Sequence, residues 1–554
     1  MQLANTHHPL HHRNVITLAL IAALLIVLLA ANVAAAADVD WPSYNRTLTS
    51  ERFVPQTEIN AANVASLHPI CSYDTGLETS FQTGPIVVDG VLYGTTEMDT
   101  FAIDAATCKE LWRVHEDVKP TMLKVNRGVA FAEGRLVRGL QDGRVVAYNA
   151  PDGKRLWEQH IADPTKGESV PAAPIAWSGL VFVGNAGGDF YAVKGRMYAL
   201  DASTGAIKWE FFLVPRRQPQ NPIPPLDLNL ENRRFVPFPI ITWGNEPDVP
   251  ISGGATWTSY TLDPSTGLLF VPGGNPAPDF KRDLRPGDNL YTNSVVVLEA
   301  KTGRYRAHFS ITPEDFHDWD VSTAPSVTRT KSGRERLFVA PKDGHLYGFD
   351  LRSGVRLFKT AVTTIENENV ELTAAGTRFC PGTQGGSEWN GPAYSPATNL
   401  VYTGSVDWCV TVRVAPDAEV KNAALGQPWS GSADKQHEFG TLDPVDRWRG
   451  WLTATDADSG KIIWQFPSTS PVLSGVTPTA GGLVFFGNMQ GTLYALDAST
   501  GTQRFNMAMD GALGGGIISY TIGGRQRLAV SAGMQSPIWP STKTTAKIVV
   551  LGVN

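Results

Sequence analysis

The chain has 554 residues, 18% of them charged, with 53 glycines, 38 prolines and 15 tryptophans. That mix suits many short strands joined by tight turns and excludes a coiled coil or a disordered chain. The formal net charge of −6 leaves no footprint for a polyanion, so nucleic acid is not expected as a partner.

The N-terminal stretch reads as a targeting segment. Arg13 precedes an uncharged run from Val15 to Ala37, which ends in Val33-Ala34-Ala35-Ala36-Ala37 before Asp38. A positive start, an apolar middle and small residues at the end describe a secretory signal over residues 1–37. A retained anchor is the alternative, since the run is long enough to span a bilayer. Residues 38–554 are then expected as one domain in an oxidising compartment. The four cysteines, Cys71, Cys108, Cys380 and Cys409, suit that compartment. Three connectivities are open. Local pairing, 71 with 108 and 380 with 409, is favoured because each pair closes one supersecondary unit. Each bridge is expected to contribute about 3–4 kcal/mol in the loop-entropy account. No C-x-x-C-H motif is present, so no attached c-type haem is expected.

From residue 101 onward one phrase recurs: an apolar strand, Asp or a substitute, a few small or polar residues, Gly, and a second strand often ending in Trp. It runs from Phe101–Asp104 to Trp112, with Cys108 at the Gly position. It returns at Asn149…Gly153 to Trp157, Asp201…Gly205 to Trp209, Glu299…Gly303, Asp350…Gly354, Asp456…Gly460 to Trp464, and Asp497…Gly501. The acid accepts hydrogen bonds from backbone N–H groups further on, and Gly supplies the positive φ that closes the hairpin. The Trp buries a large area between neighbouring sheets. A spacing of mostly about 40–50 residues matches propeller blades, which bury both faces only by closing a ring. The larger gaps hold weaker strand pairs, at residues 261–270 and 394–402. Seven copies and one blade shared between the chain's ends predict an all-β, eight-bladed propeller of four-stranded antiparallel blades with tryptophan docking; seven blades is the alternative. Residues 213–250 are too rich in proline for a sheet centre, and residues 415–447 are polar. Both are expected as long loops over one end of the ring.

Chemistry concentrates in Thr312-Pro313-Glu314-Asp315-Phe316-His317-Asp318-Trp319-Asp320. A two-residue separation on an extended segment places the Asp318 and Asp320 carboxylates on one side. Such a pair repels itself unless a cation or a proton sits between. Asn275, in Gly273-Gly274-Asn275-Pro276-Ala277-Pro278, offers a neutral oxygen.

The repeat phrase, the opening Asp40-Trp41-Pro-Ser-Tyr44-Asn-Arg46 and the Asp318 segment together resemble the methanol/ethanol-type quinoprotein dehydrogenases. These are eight-bladed propellers that hold pyrroloquinoline quinone (PQQ) and a metal ion at the ring axis. The resemblance covers nearly all of residues 38–554. It implies that Asp318 is the catalytic carboxylate, with His317 standing where the family motif has Trp. It implies metal ligation by Asn275 and Asp318, with Asp320 matching the second acid of lanthanide-dependent members. Trp257, in Gly253-Gly254-Ala-Thr-Trp257, is expected to stack on the quinone. Arg127, in Val125-Asn126-Arg127-Gly128, and Lys342, in Pro341-Lys342-Asp-Gly344, are expected to bring cations to its oxygens. Gln82 and Glu388 take places where the family commonly has Glu and Asn.

Two departures stand out. Thr121-Met122 occupy the places of the vicinal cysteines. The metal-binding Glu aligns with Phe190, so Asp189 reaches the ion only through a one-residue shift or bulge. The resemblance implies a periplasmic enzyme that oxidises an alcohol or aldehyde with PQQ and Ca2+ or a lanthanide ion. Its electron acceptor is expected to be a separate cytochrome c or a membrane quinone. The alternative is a non-catalytic propeller of the same repeat type, acting as an assembly scaffold.

Overall fold

The computed structural model describes Gln2 and residues 38–119, 124–216 and 239–554. The expected signal segment, the Thr121-Met122 pair and the centre of the 213–250 insertion lie outside the described residues. No helix among the described residues is long and apolar enough to cross a membrane.

The architecture is an all-β propeller. Eight four-stranded antiparallel sheets are present among the described residues. Seven follow one another along the chain, at residues 86–115, 130–160, 175–212, 261–310, 326–361, 393–468 and 477–508. The eighth takes three strands from the C-terminal end, at residues 517–522, 525–532 and 547–552. Its outermost strand is His68–Asp74, which pairs with Lys547–Gly552. Each sheet packs on the next through its own apolar layer. Ile86 and Tyr93 meet Val129 and Leu136 between the first two sheets. The last layer sets Ile518 and Ile548 against Val87 and Phe101, so the eighth sheet packs on the first and the cycle closes.

The recurring phrase performs two jobs in this packing. Within a sheet it makes the hairpin: the Asp104 carboxylate accepts from the N–H groups of Ala106 at 3.1 Å and Thr107 at 2.8 Å, and Cys108 takes the positive φ of 59°. The same chemistry recurs at Asp201, Asp350 and Asp497. Between sheets it forms a socket. The Trp157 indole donates to the Ala202 carbonyl at 3.1 Å, and a Cβ at Gly205 would lie 2.5 Å from the Trp157 ring. Trp112, Trp209 and Trp464 dock in the same way, onto Ala150, Ala300 and Ala498. The glycine is therefore required twice over, by its left-handed φ of 75° and by the ring lying against it.

Burial grades across each sheet. The third strand is buried, as in Arg144–Asn149, while the fourth is largely exposed, as in Arg155–His160. Disulfides join Cys71 to Cys108 and Cys380 to Cys409, the local pairing. The first ties the strand that completes the eighth sheet to the turn of the first. The second frames the loop that carries Glu388 and Trp389.

The 415–447 insertion has structure of its own. It holds a short helix, Asp417–Lys421, and a strand, Thr441–Leu442, that adds to a three-stranded sheet. Its Trp429 and Val420 pack with Val249, Ala277 and Leu284. The insertion also grips the loop at 189–191. The Trp429 N–H donates to the Asp189 carbonyl at 2.6 Å and the Tyr191 N–H to the Gln427 carbonyl at 3.1 Å.

Candidate active site

Every residue singled out from the sequence as a site residue lines one cavity: Gln82, Arg127, Asp189, Trp257, Asn275, Asp318, Asp320, Lys342 and Glu388. They come from the loops of different sheets, far apart along the chain. Trp389, Trp539 and Phe439 line it too and were not anticipated.

The Asp318 segment departs from the extended geometry expected of it. Residues 311–322 belong to no strand, and Asp318 sits in the left-handed region at φ 65°. A non-glycine residue held there stores strain, which at a site is an observation in favour of function. The two carboxylates nevertheless converge, because Lys342 gathers them: its Nζ lies 3.3 Å from Asp318 Oδ2 and 2.7 Å from Asp320 Oδ2. All three side chains are buried. The cation anticipated between the two acids is thus supplied by the protein itself. Asp320 also accepts from the Asn275 backbone N–H at 2.9 Å, so it joins the Asn275 loop to Lys342. Burial alone would strip the Lys342 proton, but Asp318, Asp320 and Glu388 hold its pKa above the usual lysine value.

Asn275 is placed by a close backbone approach. Residues Ser252–Gly253 pair with Pro276–Ala277, and a Cβ at Gly253 would lie 2.4 Å from the Asn275 carbonyl oxygen. Only glycine fits there, at φ 103°. His317 stays out of the cavity. It stacks at 3.9 Å on Trp319 and takes a backbone bond from its own N–H to Asp315.

The Arg127 guanidinium lies 4.7 Å from the Trp257 ring centroid and 5.1 Å from that of Trp389, and Lys342 Nζ lies 5.5 Å from the same Trp257 centroid. Arg127 Nη1 donates to the Trp257 carbonyl at 3.0 Å. Burial lowers its pKa to about 10, which leaves it charged at neutral pH. Glu388 is pushed up to about 7 by burial, although Lys342 and Arg127 oppose the shift.

Asp189 and Phe190 both line the cavity, Asp189 with its carboxylate and Phe190 with its ring. Phe190 is buried against Gly167, where a Cβ would meet its ring at 2.2 Å. The loop thus brings a carboxylate to the cavity one residue before the aligned position. Burial and the neighbouring Asp320 raise Asp189 to about 6, with Lys342 and the Asn275 carboxamide working against them. A further acid was missed by sequence reasoning. Asp279, four residues after Asn275, is fully buried, and one oxygen each of Asp189, Asp279 and Asp318 lie within 4.8 Å of one another. Its one sequence signal is its position directly after Asn275-Pro276-Ala277-Pro278, and no motif includes it.

The donor set suits a hard cation, because carboxylates and a carboxamide are the oxygen ligands such ions take. Unpaired buried atoms point the same way. Among the described residues, the acceptors Asp279 Oδ1, Asp279 Oδ2 and Gln82 Oε1 have no hydrogen-bond partner; the donor Arg127 Nε also has none and suits an anionic group instead. An indole plane, a guanidinium and an ammonium on the same cavity suit a flat, anionic, oxygen-rich ring.

Residues 41–375, more than half of the chain, match the family model described as glucose/ethanol/alcohol dehydrogenase, beta-propeller domain. A shorter stretch, residues 449–533, matches the outer membrane protein assembly factor BamB. That stretch lies outside the loops that carry Asp189, Asn275, Asp318 and Lys342, so the scaffold alternative is not favoured. The chain is 31% identical over 524 residues to quinohemoprotein alcohol dehydrogenase ADH IIB of Pseudomonas putida, covering 89% of this chain and 73% of that one. It is 30% identical over 526 residues to quinoprotein alcohol dehydrogenase PedH of Pseudomonas putida, covering 88% and 85%. Among solved structures, a europium-containing methanol dehydrogenase superposes with a TM-score of 0.81 at 25% identity, over 93% of this chain and 98% of that one. Matched on sequence across its length and on fold around the same ring, the chain belongs to the PQQ-dependent alcohol dehydrogenase family.

Proposed function

We propose that this protein oxidises an alcohol at the described cavity, with PQQ and a hard metal ion bound there. Residues 1–37 then act as a cleaved export signal, and residues 38–554 form one propeller domain whose eight sheets are its blades, working in the periplasm. Electrons pass to a separate acceptor, a cytochrome c or a membrane quinone. The single observation that carries this reading is the convergence of Lys342 on Asp318 and Asp320, at 3.3 and 2.7 Å, on a cavity also lined by Trp257, Arg127 and Asn275.

Bound PQQ supplies the two-electron acceptor, and the ion supplies a Lewis acid beside it. The chain's own residues do the remaining work. Asp318 takes the hydroxyl proton of the alcohol onto a carboxylate oxygen, a general-base role supported by its place on the cavity and its strained backbone. Lys342 keeps that oxygen aimed and offsets the repulsion from Asp320. Trp257 provides a flat face, while Arg127 and Lys342 provide positive charge for an anionic ring. Asp189, Asn275 and Asp318 hold the ion, and Asp320 orients the Asn275 loop by accepting its backbone N–H. Gln82 and Glu388 offer further polar contacts to the ring's edge.

The test is dye reduction by purified protein loaded with PQQ and either Ca2+ or La3+, over a panel of alcohols and aldehydes. Activity that disappears in Asp318→Asn, with PQQ still co-eluting, supports the reading. A wild-type protein that binds neither PQQ nor metal under any condition overturns it.

A further inference from the structure

We infer that Asp279 is a metal ligand, and that with Asp189, Asp318 and the Asn275 carboxamide it forms an oxygen cage that binds a trivalent lanthanide ion in preference to Ca2+. This rests on the reading of the cavity as a metal-dependent dehydrogenase site and adds an acid that the sequence motifs do not point to. Geometry argues first. Oxygens bound to one large hard cation at about 2.3–2.6 Å can be separated by at most about 5 Å. The three carboxylates each present an oxygen within 4.8 Å of the other two, so a single ion can reach all three.

The state of Asp279 argues second and independently. It is fully buried, yet neither of its carboxylate oxygens has a hydrogen-bond partner among the described residues. A buried carboxylate left this way is costly, and a protonated carboxyl would still lack an acceptor for its O–H. The nearest guanidinium does not rescue it. Arg285 is spent on the carbonyls of Pro278, Asp279 and Asp315 and on the Asn289 side chain. A cation in the cage satisfies both requirements at once.

Charge decides which ion. Asp320 is paired with Lys342 and with the Asn275 N–H, so its charge is already answered. Lys342 is shared with Asp318 at the longer distance of 3.3 Å. Asp189 and Asp279 make no ion pair with a basic side chain among those described. Three carboxylates with one partly engaged cation leave an excess that a trivalent ion neutralises more fully than a divalent one, and ligand charge is what tunes affinity among hard cations.

The experiment titrates the purified chain with Tb3+ alone, without quinone. Indole-sensitised luminescence is the readout, since Trp257 lies on the cavity, and Ca2+ serves as competitor. The wild type is expected to bind one Tb3+ at least 100-fold more tightly than Ca2+. Asp279→Asn should lose at least tenfold in Tb3+ affinity and narrow the Tb3+/Ca2+ gap, while Asp279→Glu retains more of both. The melting temperature of the metal-free Asp279→Asn protein should equal or exceed that of the wild type, because a buried unpaired acid is gone. This separates loss of a ligand from loss of the fold. Equal Tb3+ affinity in wild type and Asp279→Asn overturns the inference, as does a wild type that prefers Ca2+. Dye reduction by alcohols reads the proposed function separately. Tb3+ binding that depends on Asp279 in a protein with no such activity leaves this inference standing and removes the other.

Discussion

The Lys342 ammonium lies 2.7 Å from the Asp320 carboxylate, with both groups buried. A buried pair of this kind is costly to break from one side, because the remaining charge is stranded in low dielectric. Lys342→Met should therefore destabilise the metal-free protein by about 3–5 kcal/mol. The loss should be smaller in Lys342→Met combined with Asp320→Asn, which leaves no stranded acid at that position. Chemical denaturation of the two variants measures the difference. Equal losses would show that the lysine contributes packing alone.

Tryptophan docking predicts a graded series at glycines of similar backbone conformation. Gly205 and Gly333 have φ values of 75° and 77°. A Cβ at Gly205 would press on Trp157 at 2.5 Å, whereas a Cβ at Gly333 would meet nothing within 4 Å. Gly333→Ala should cost about 1–2 kcal/mol from the left-handed backbone alone. Gly205→Ala should cost clearly more, and Trp157→Ala about 3–5 kcal/mol. Thermal melts of the three variants give the ranking.

The two disulfides should separate stability from cofactor binding. Each closes a loop of similar length, with sequence separations of 37 for Cys71–Cys108 and 29 for Cys380–Cys409. Replacing either pair by serine should cost about 2–4 kcal/mol. Only the second frames the loop of Glu388 and Trp389, so only its loss should weaken PQQ retention on gel filtration.

Glu388 should make the metal-free protein less stable as pH rises from about 4.5 to about 7. Its folded-state pKa of about 7 lies above the ordinary 4.5, chiefly from burial. Across that window the folded state holds a proton that the unfolded state has lost, so raising the pH favours unfolding. Lys342, Asp320 and Arg127 are the charged groups that act on it. Full expression of the shift would amount to about 3 kcal/mol. Glu388→Gln should flatten this part of the stability profile, and denaturant midpoints at pH 5 and pH 7 check it.

The propeller was legible because its instructions are local. An acid that accepts two backbone N–H groups, a Gly or Cys108 at positive φ and a tryptophan a few residues later specify a hairpin and its socket without reference to distant residues. The membership of the cavity was legible too, since Trp257, Asn275, Asp318 and Lys342 each sit in a recognisable phrase. Three things were decided only by tertiary structure. The Asp189 carboxylate reaches the cavity alongside the Phe190 ring, because packing at Gly167 and bonds from the 415–447 insertion set the turn of that loop. Asp318 reaches Asp320's partner from a left-handed backbone rather than an extended one, because Lys342 draws both acids together. Asp279 becomes a neighbour of Asp189 and Asp318 only when loops 90 residues apart in the chain meet inside the ring. Turn chemistry acts over a few residues and can be read in order; the electrostatics of a buried cavity depend on which loops the closed ring brings within a few ångströms.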